Sequence, residues 1–78
     1  MKKLKETVFY ESSTVALSSF DYKTNELIVE FNSGAAYSFS NVTIEDYESF
    51  RDSDSIGKSF NQYIRQYGGL KIEEKQNA

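Results

Sequence analysis

The sequence has no cysteine, no histidine, no proline and no tryptophan, and only four glycines and one methionine. Without cysteine there is no disulfide staple, no thiolate nucleophile and no soft metal ligand. With histidine missing as well, the common zinc sites and the Ser-His or Cys-His catalytic triads are excluded. No metal site and no cofactor are expected. No apolar run approaches the ~20 residues that span a bilayer, and no signal-peptide hydrophobic segment is present. A soluble, intracellular protein without a membrane partner is expected. There are no repeats and no linker.

Aromatics are plentiful: six Tyr and six Phe in 78 residues. A chain this short buries only about 60–65% of its unfolded surface, so its core needs large side chains. One domain is expected over residues 1–78, with a core from about 8 to 72. Met1 to Glu6, carrying Lys2, Lys3 and Lys5, reads as a frayed basic arm, and Glu73 to Ala78 as a polar tail. The net charge of −3 argues against nonspecific nucleic-acid binding, which depends on a positive field, but permits a local basic patch.

The first half of the chain alternates with period 2. Val8-Phe9-Tyr10 is a short candidate strand. Thr14 to Phe20 is a second, and its paired Ser18 and Ser19 suggest a bulge. Asp21 to Asn25 suits a hairpin loop, since Asp and Asn bond nearby amides. Glu26 to Phe31 is the strongest strand, with Leu27, Val29 and Phe31 on one face. Asn32-Ser33-Gly34 turns the chain, and Ala35 to Ser40 returns with Ala35, Tyr37 and Phe39 aligned. The period then changes to 3.6. Thr43 caps a helix from about Ile44 to Arg51, with Ile44, Tyr47 and Phe50 as its buried stripe. Asp54 or Ser55 caps the next helix, which Gly68 ends in the left-handed conformation. Leu70-Lys71-Ile72 suits a short edge strand. The expected fold is α+β: a small antiparallel β-meander of three to four strands, then two helices packed on one face. The other face is left open, with Ile28 and Phe20 on it, available to a second subunit or a ligand.

The candidate site lies on the last helix, Ser55 to Tyr67. At 100° per residue, Ile56, Phe60, Tyr63, Ile64 and Tyr67 fall on one side and Lys58, Asn61, Gln62 and Arg65 on the other. The first set is core. The second is either a solvated face or a binding surface. Lys58 and Arg65, with Asn61 between them, have the chemistry of phosphate recognition, Arg65 as a fork and Lys58 as a point charge. Ser12 and Ser13 could add hydroxyls, and Tyr37 or Tyr63 could stack on a base. The alternative is structural: Arg65 paired with an acid, and Asn61 tied to a loop backbone. Gly57-Lys58-Ser59 lacks the Gly-rich loop of a P-loop.

Ser12-Ser13-x-Val15, Phe20-Asp21, Leu27-x-Val29-x-Phe31-x-x-Gly34, Tyr37-Ser38-Phe39, Val42, Tyr47 and Ser55-x-Gly57-Lys58-x-Phe60-Asn61-x-x-Ile64-Arg65-x-x-Tyr67 together resemble the KTSC domain. That domain takes its name from the C-terminus of some lysyl-tRNA synthetases and also stands alone. The resemblance runs from about Ser12 to Ile72, and Gly57 to Arg65 is its most specific part. Phe39 stands where the family pattern has a second Tyr, and Thr43 where it often has Pro. The resemblance implies a non-enzymatic module of a bacterial cytoplasm, with RNA suggested as a partner. A phage-encoded form sequestering a small nucleotide signal of host defence is a narrower alternative, and protein interaction or homo-oligomerisation through the open sheet face is another. Catalysis is not expected. Paired acids such as Glu45-Asp46 suit helix starts, and Ser12 and Ser13 have no histidine to activate them.

Overall fold

Alternating side chains drive the first half of the chain into a sheet, because successive residues of a strand project to opposite faces. The structure, a computed structural model, describes residues 4–72. Strands β1 (Lys5–Phe9), β2 (Val15–Asp21), β3 (Glu26–Phe31) and β4 (Ala36–Phe39) follow in sequence. After the helices, β5 (Leu70–Ile72) returns to pair with β4. The sheet order is β1-β2-β3-β4-β5 and every pairing is antiparallel. The α+β class stands, with five strands in place of three to four. One correction is at the start: Lys5 and Glu6, expected in a frayed arm, pair with Asp21 and Phe20 as the first rungs of β1. Lys2, Lys3 and the tail from Glu73 to Ala78 lie outside the described residues.

The turns follow their chemistry. Asp21 Oδ1 accepts from the Lys23 and Thr24 amides at 2.8 and 3.3 Å. Asn25 then takes φ +62°, and Gly34 takes φ +101° in the next turn. The register of β2 against β3 shifts between Val15 and Leu17, upstream of the expected bulge at Ser18-Ser19. This shift points both Val15 and Ser18 inward. It also corrects the position of Phe20, expected on the open face: Phe20 is fully buried and stacks on Tyr47, with ring centroids 4.3 Å apart. Ile28 stays on the open face, opposite Ser19 and Ser38.

Helix α1 (Ile44–Arg51) starts at Thr43, whose Oγ1 accepts from the Asp46 amide at 3.1 Å. Tyr47 and Phe50 are buried, but Ile44 is 44% exposed. Residues spaced by three turn steadily around an α-helix, so Ile44 stands roughly 120° away from Phe50 and leaves the buried stripe. The last helix is not uniform. It opens as α2 (Ile56–Ser59), widens into a π-helical turn (Phe60–Ile64) and tightens to a 3₁₀ turn (Arg65–Tyr67). Gly68 ends it at φ +62°, left-handed as expected. The core is Val15, Phe20, Leu27, Val29, Phe39, Val42, Tyr47, Phe50 and Ile64, lying between one face of the sheet and the helices.

One polar cluster bolts the edge of the sheet to α1. Glu6 Oε1 accepts from the hydroxyls of Tyr47 at 2.6 Å and Tyr22 at 3.1 Å, and from Arg51 Nη1 at 3.1 Å. Arg51 also grips Asp52 through Nε and Nη2, at 2.7 and 2.8 Å. The Tyr47 hydroxyl bond, helped by Arg51 and Tyr22, holds the Glu6 carboxyl below its ordinary value of 4.5 against the opposing effect of burial. Burial, with Glu6 beside it, raises the Tyr47 phenol. Native Glu6 therefore binds its proton more weakly than in the unfolded chain. Its contribution is complete above the ordinary carboxylate range and fades as pH falls through the lowered native value. Glu6→Gln should cost about 1–3 kcal/mol in urea unfolding at neutral pH, and the gap between variant and wild type should shrink as the pH falls below 4.5.

Candidate functional site

Two grooves run along the seam where the last helix meets the sheet. The first, of about 650 Å³, is lined by Phe31, Tyr37, Phe39, Phe60, Asn61 and Arg65, with small residues including Ala35, Gly68 and Gly69. The second, of about 590 Å³, is lined by Ser12, Ser13, Thr14, Lys58 and the helix start at Ser55 to Gly57, with Glu11 and Asp54. Phe31, Phe60 and Asn61 line both, so the grooves adjoin.

Local sequence explains this seam. The Phe60 ring meets Phe31, Phe39 and Phe50 edge-on, at centroid distances of 5.2, 5.6 and 6.3 Å. Ser59 is buried beside it and donates from Oγ to the Phe50 carbonyl at 3.0 Å, which ties the two helices together. Two glycines permit close approach. A β-carbon at Gly57 would stand 3.3 Å from Thr14 Oγ1, and one at Gly69 would overlap the Phe39 ring. At the far end, the Tyr67 hydroxyl bonds Asp46 Oδ2 at 2.5 Å and accepts from the Thr43 amide at 3.3 Å.

The expected site residues are distributed as follows. Ser12, Ser13, Lys58 and Asn61 share the second groove; Tyr37, Asn61 and Arg65 share the first. Tyr63 lines neither: it is half-buried against the core, consistent with its place among the apolar positions of the helix. Ser12 serves the fold, since its Oγ accepts from the amides of Thr14 and Val15 at 3.1 and 3.2 Å. Ser13 is exposed. Among the described residues, neither Lys58 nor Arg65 is in an ion pair. Asp54 lines the same groove as Lys58 yet forms no salt bridge with it. Arg65 Nη1 instead reaches Asn61 Oδ1 at 3.4 Å, across the π turn. That contact leaves the Asn61 amide nitrogen available as a donor. The structural alternatives for these two residues, an acid partner for Arg65 and a loop anchor for Asn61, are not found among the described residues.

Of the aromatic lining, Tyr37 was expected and the three phenylalanines were not. Phe31, Phe39 and Phe60 read as core, and only their placement at a seam makes them groove walls as well. Lys71 also gains a position: it pairs with Tyr37 across β4 and β5, so the two leave the sheet on the same side. The described residues hold no cluster of three or more metal-ligating side chains, and no helix among them is long and apolar enough to cross a membrane.

A small antiparallel sheet carrying two helices on one face, with this seam, places the chain in a defined class of α+β domains. The family model for the KTSC domain matches residues 11–67, and the chain belongs to that family. It is 33% identical over 64 residues to a lysine–tRNA ligase of Nostoc punctiforme, covering 82% of this chain but 11% of that enzyme. It is 34% identical over 58 residues to an uncharacterized protein of Stutzerimonas stutzeri, covering 74% of this chain and 82% of the other. The crystal structure of a KTSC domain protein from Yersinia pestis superimposes with a TM-score of 0.77 at 18% identity, over 91% of this chain and 99% of that one. This last likeness carries the fold alone.

Because Lys58 and Arg65 are exposed and outside ion pairs among the described residues, replacing either with Ala should change stability by less than about 0.5 kcal/mol. Gly69→Ala should cost about 1–3 kcal/mol by displacing the Phe39 ring. Thermal unfolding followed by circular dichroism distinguishes the two kinds of position.

Proposed function

We propose that this chain is a non-catalytic module that binds a phosphate-bearing ligand, a nucleotide or RNA, along the adjoining grooves of the helix–sheet seam. One observation carries the reading. Lys58 and Arg65 face adjoining grooves, outside any ion pair among the described residues, with an Asn61 donor where those grooves meet. A cation outside the internal ion pairs is not neutralised by the protein's own acids, and a guanidinium offers two parallel donors to phosphate oxygens or to the acceptor edge of a base. The aromatic side chains that line the first groove suit a base. Binding without turnover fits a chain that has no histidine or cysteine and whose Ser12 hydroxyl already accepts from two amides. Sequestration of a small nucleotide signal, the phage-type task, is one form this activity would take.

Isothermal titration calorimetry with a panel of nucleoside mono-, di- and cyclic phosphates and a short single-stranded RNA tests the proposal. Lys58→Ala and Arg65→Ala should each weaken the binding member by about 1.5–3 kcal/mol, on the order of tenfold to a hundredfold in Kd. Unchanged affinity in both variants would remove the seam as the site.

The open sheet face supports a second reading, association of two copies. Phe9 and Leu70 lie on it, 75% and 71% exposed, with Ile28 and Leu17 between them. Light scattering coupled to size exclusion should then show a concentration-dependent mass that Leu70→Lys returns to that of a monomer. A single monomeric mass at every concentration counts against it.

A further inference from the structure

The two grooves differ in chemistry, and the difference specifies the ligand. The groove at Tyr37 has aromatic walls from Phe31, Tyr37, Phe39 and Phe60, and among the described residues no carboxylate lines it. Its polar groups include Ser33, Asn61 and, at the rim, Arg65. The groove at Lys58 is lined by Ser13, Thr14 and Ser55 beside one ammonium, and also by Glu11 and Asp54. One cation with several hydroxyl donors matches a single phosphate. The exposed Glu11 and Asp54 line the same groove and disfavour negative charge there, so each phosphate beyond the first adds repulsion without a further cation of this groove to offset it.

Building on the phosphate-binding reading above, we infer that the seam takes a small nucleoside phosphate in one orientation, and not a polynucleotide. The base lies in the aromatic groove. Its terminal phosphate sits at Lys58, with the Ser13 and Thr14 hydroxyls as further donors. Asn61, the polar residue common to both grooves, faces the sugar between them. Arg65 presents its fork to an acceptor edge of the base, so guanine, with two adjacent acceptors, is matched best. The volumes of 650 and 590 Å³ are each of the size that holds part or all of a small ligand. Glu11 and Asp54, in the lining of the phosphate groove, disfavour added phosphates, and the net charge of −3 acts in the same sense against a long polyanion.

NMR titration of the full chain with guanosine 5′-monophosphate, ribose 5-phosphate and a ten-residue oligouridine tests this. The monophosphate should bind on the order of tenfold more tightly than ribose 5-phosphate, the difference that stacking of one base supplies. Tyr37→Ala should erase that difference and leave ribose 5-phosphate binding unchanged, whereas Lys58→Ala should weaken both. Tyr37→Leu serves in its place if the alanine variant fails to fold. Amide shifts should fall at Gly68 and Gly69 with the nucleotide alone, and at Ser13, Thr14 and Lys58 with both small ligands. Equal binding of the two small ligands overturns the base assignment while sparing the phosphate site. Tighter binding of oligouridine than of the monophosphate overturns the small-ligand assignment and makes RNA the partner. If none of the three binds, the phosphate reading falls with it.

Discussion

The Phe60 ring holds the structure together. It meets rings from the sheet, Phe31 and Phe39, and from the neighbouring helix, Phe50. In a chain with so little interior, one residue that touches every layer contributes a disproportionate share of the cohesion. The same ring walls both grooves. Stability and the candidate site therefore share one side chain.

The backbone adapts around this anchor. At Phe60 the helix widens from α to π geometry, and the Arg65 amide bonds the Phe60 carbonyl instead of the next carbonyl along. Such turns interrupt helices frequently at functional positions. Lys58, before the turn, lines the groove by the loop that precedes β2, and Arg65, after it, lines the groove by β4. At the other edge of the sheet, the Glu6 carboxylate gathers two tyrosines and Arg51, which fixes α1 on the sheet. The charges used for structure and those facing the grooves are thus kept apart. Arg51 is engaged internally; Lys58 and Arg65 are not, among the described residues.

Similar sequence occurs within a much larger lysine–tRNA ligase and across most of a small Stutzerimonas protein. In this chain the aromatic seam and the Glu6 cluster supply contacts that join sheet and helices. The fold likeness to the Yersinia domain at 18% identity shows how few positions such a meander with two helices constrains.

Local chemistry was legible in the amino-acid order. The period-2 runs gave β2, β3 and β4, Thr43 gave the start of α1, and Gly68 gave the end of the last helix, because each depends on a few adjacent residues. Lys58, Asn61 and Arg65 also stood out, since polar residues opposite an apolar helix stripe are visible without coordinates. What depends on distant partners was hidden. Glu6 looked like part of an arm until β2 gave it a strand to pair with and Tyr47 a hydroxyl to accept. Phe20 changed faces because a bulge at Val15–Leu17 reversed the alternation downstream. The division of the cations between two grooves, with a π turn between them, leaves no mark on periodicity. Sequence alone determined which segments extend and which coil. Tertiary packing decided which side chains those segments bury and which they leave to bind.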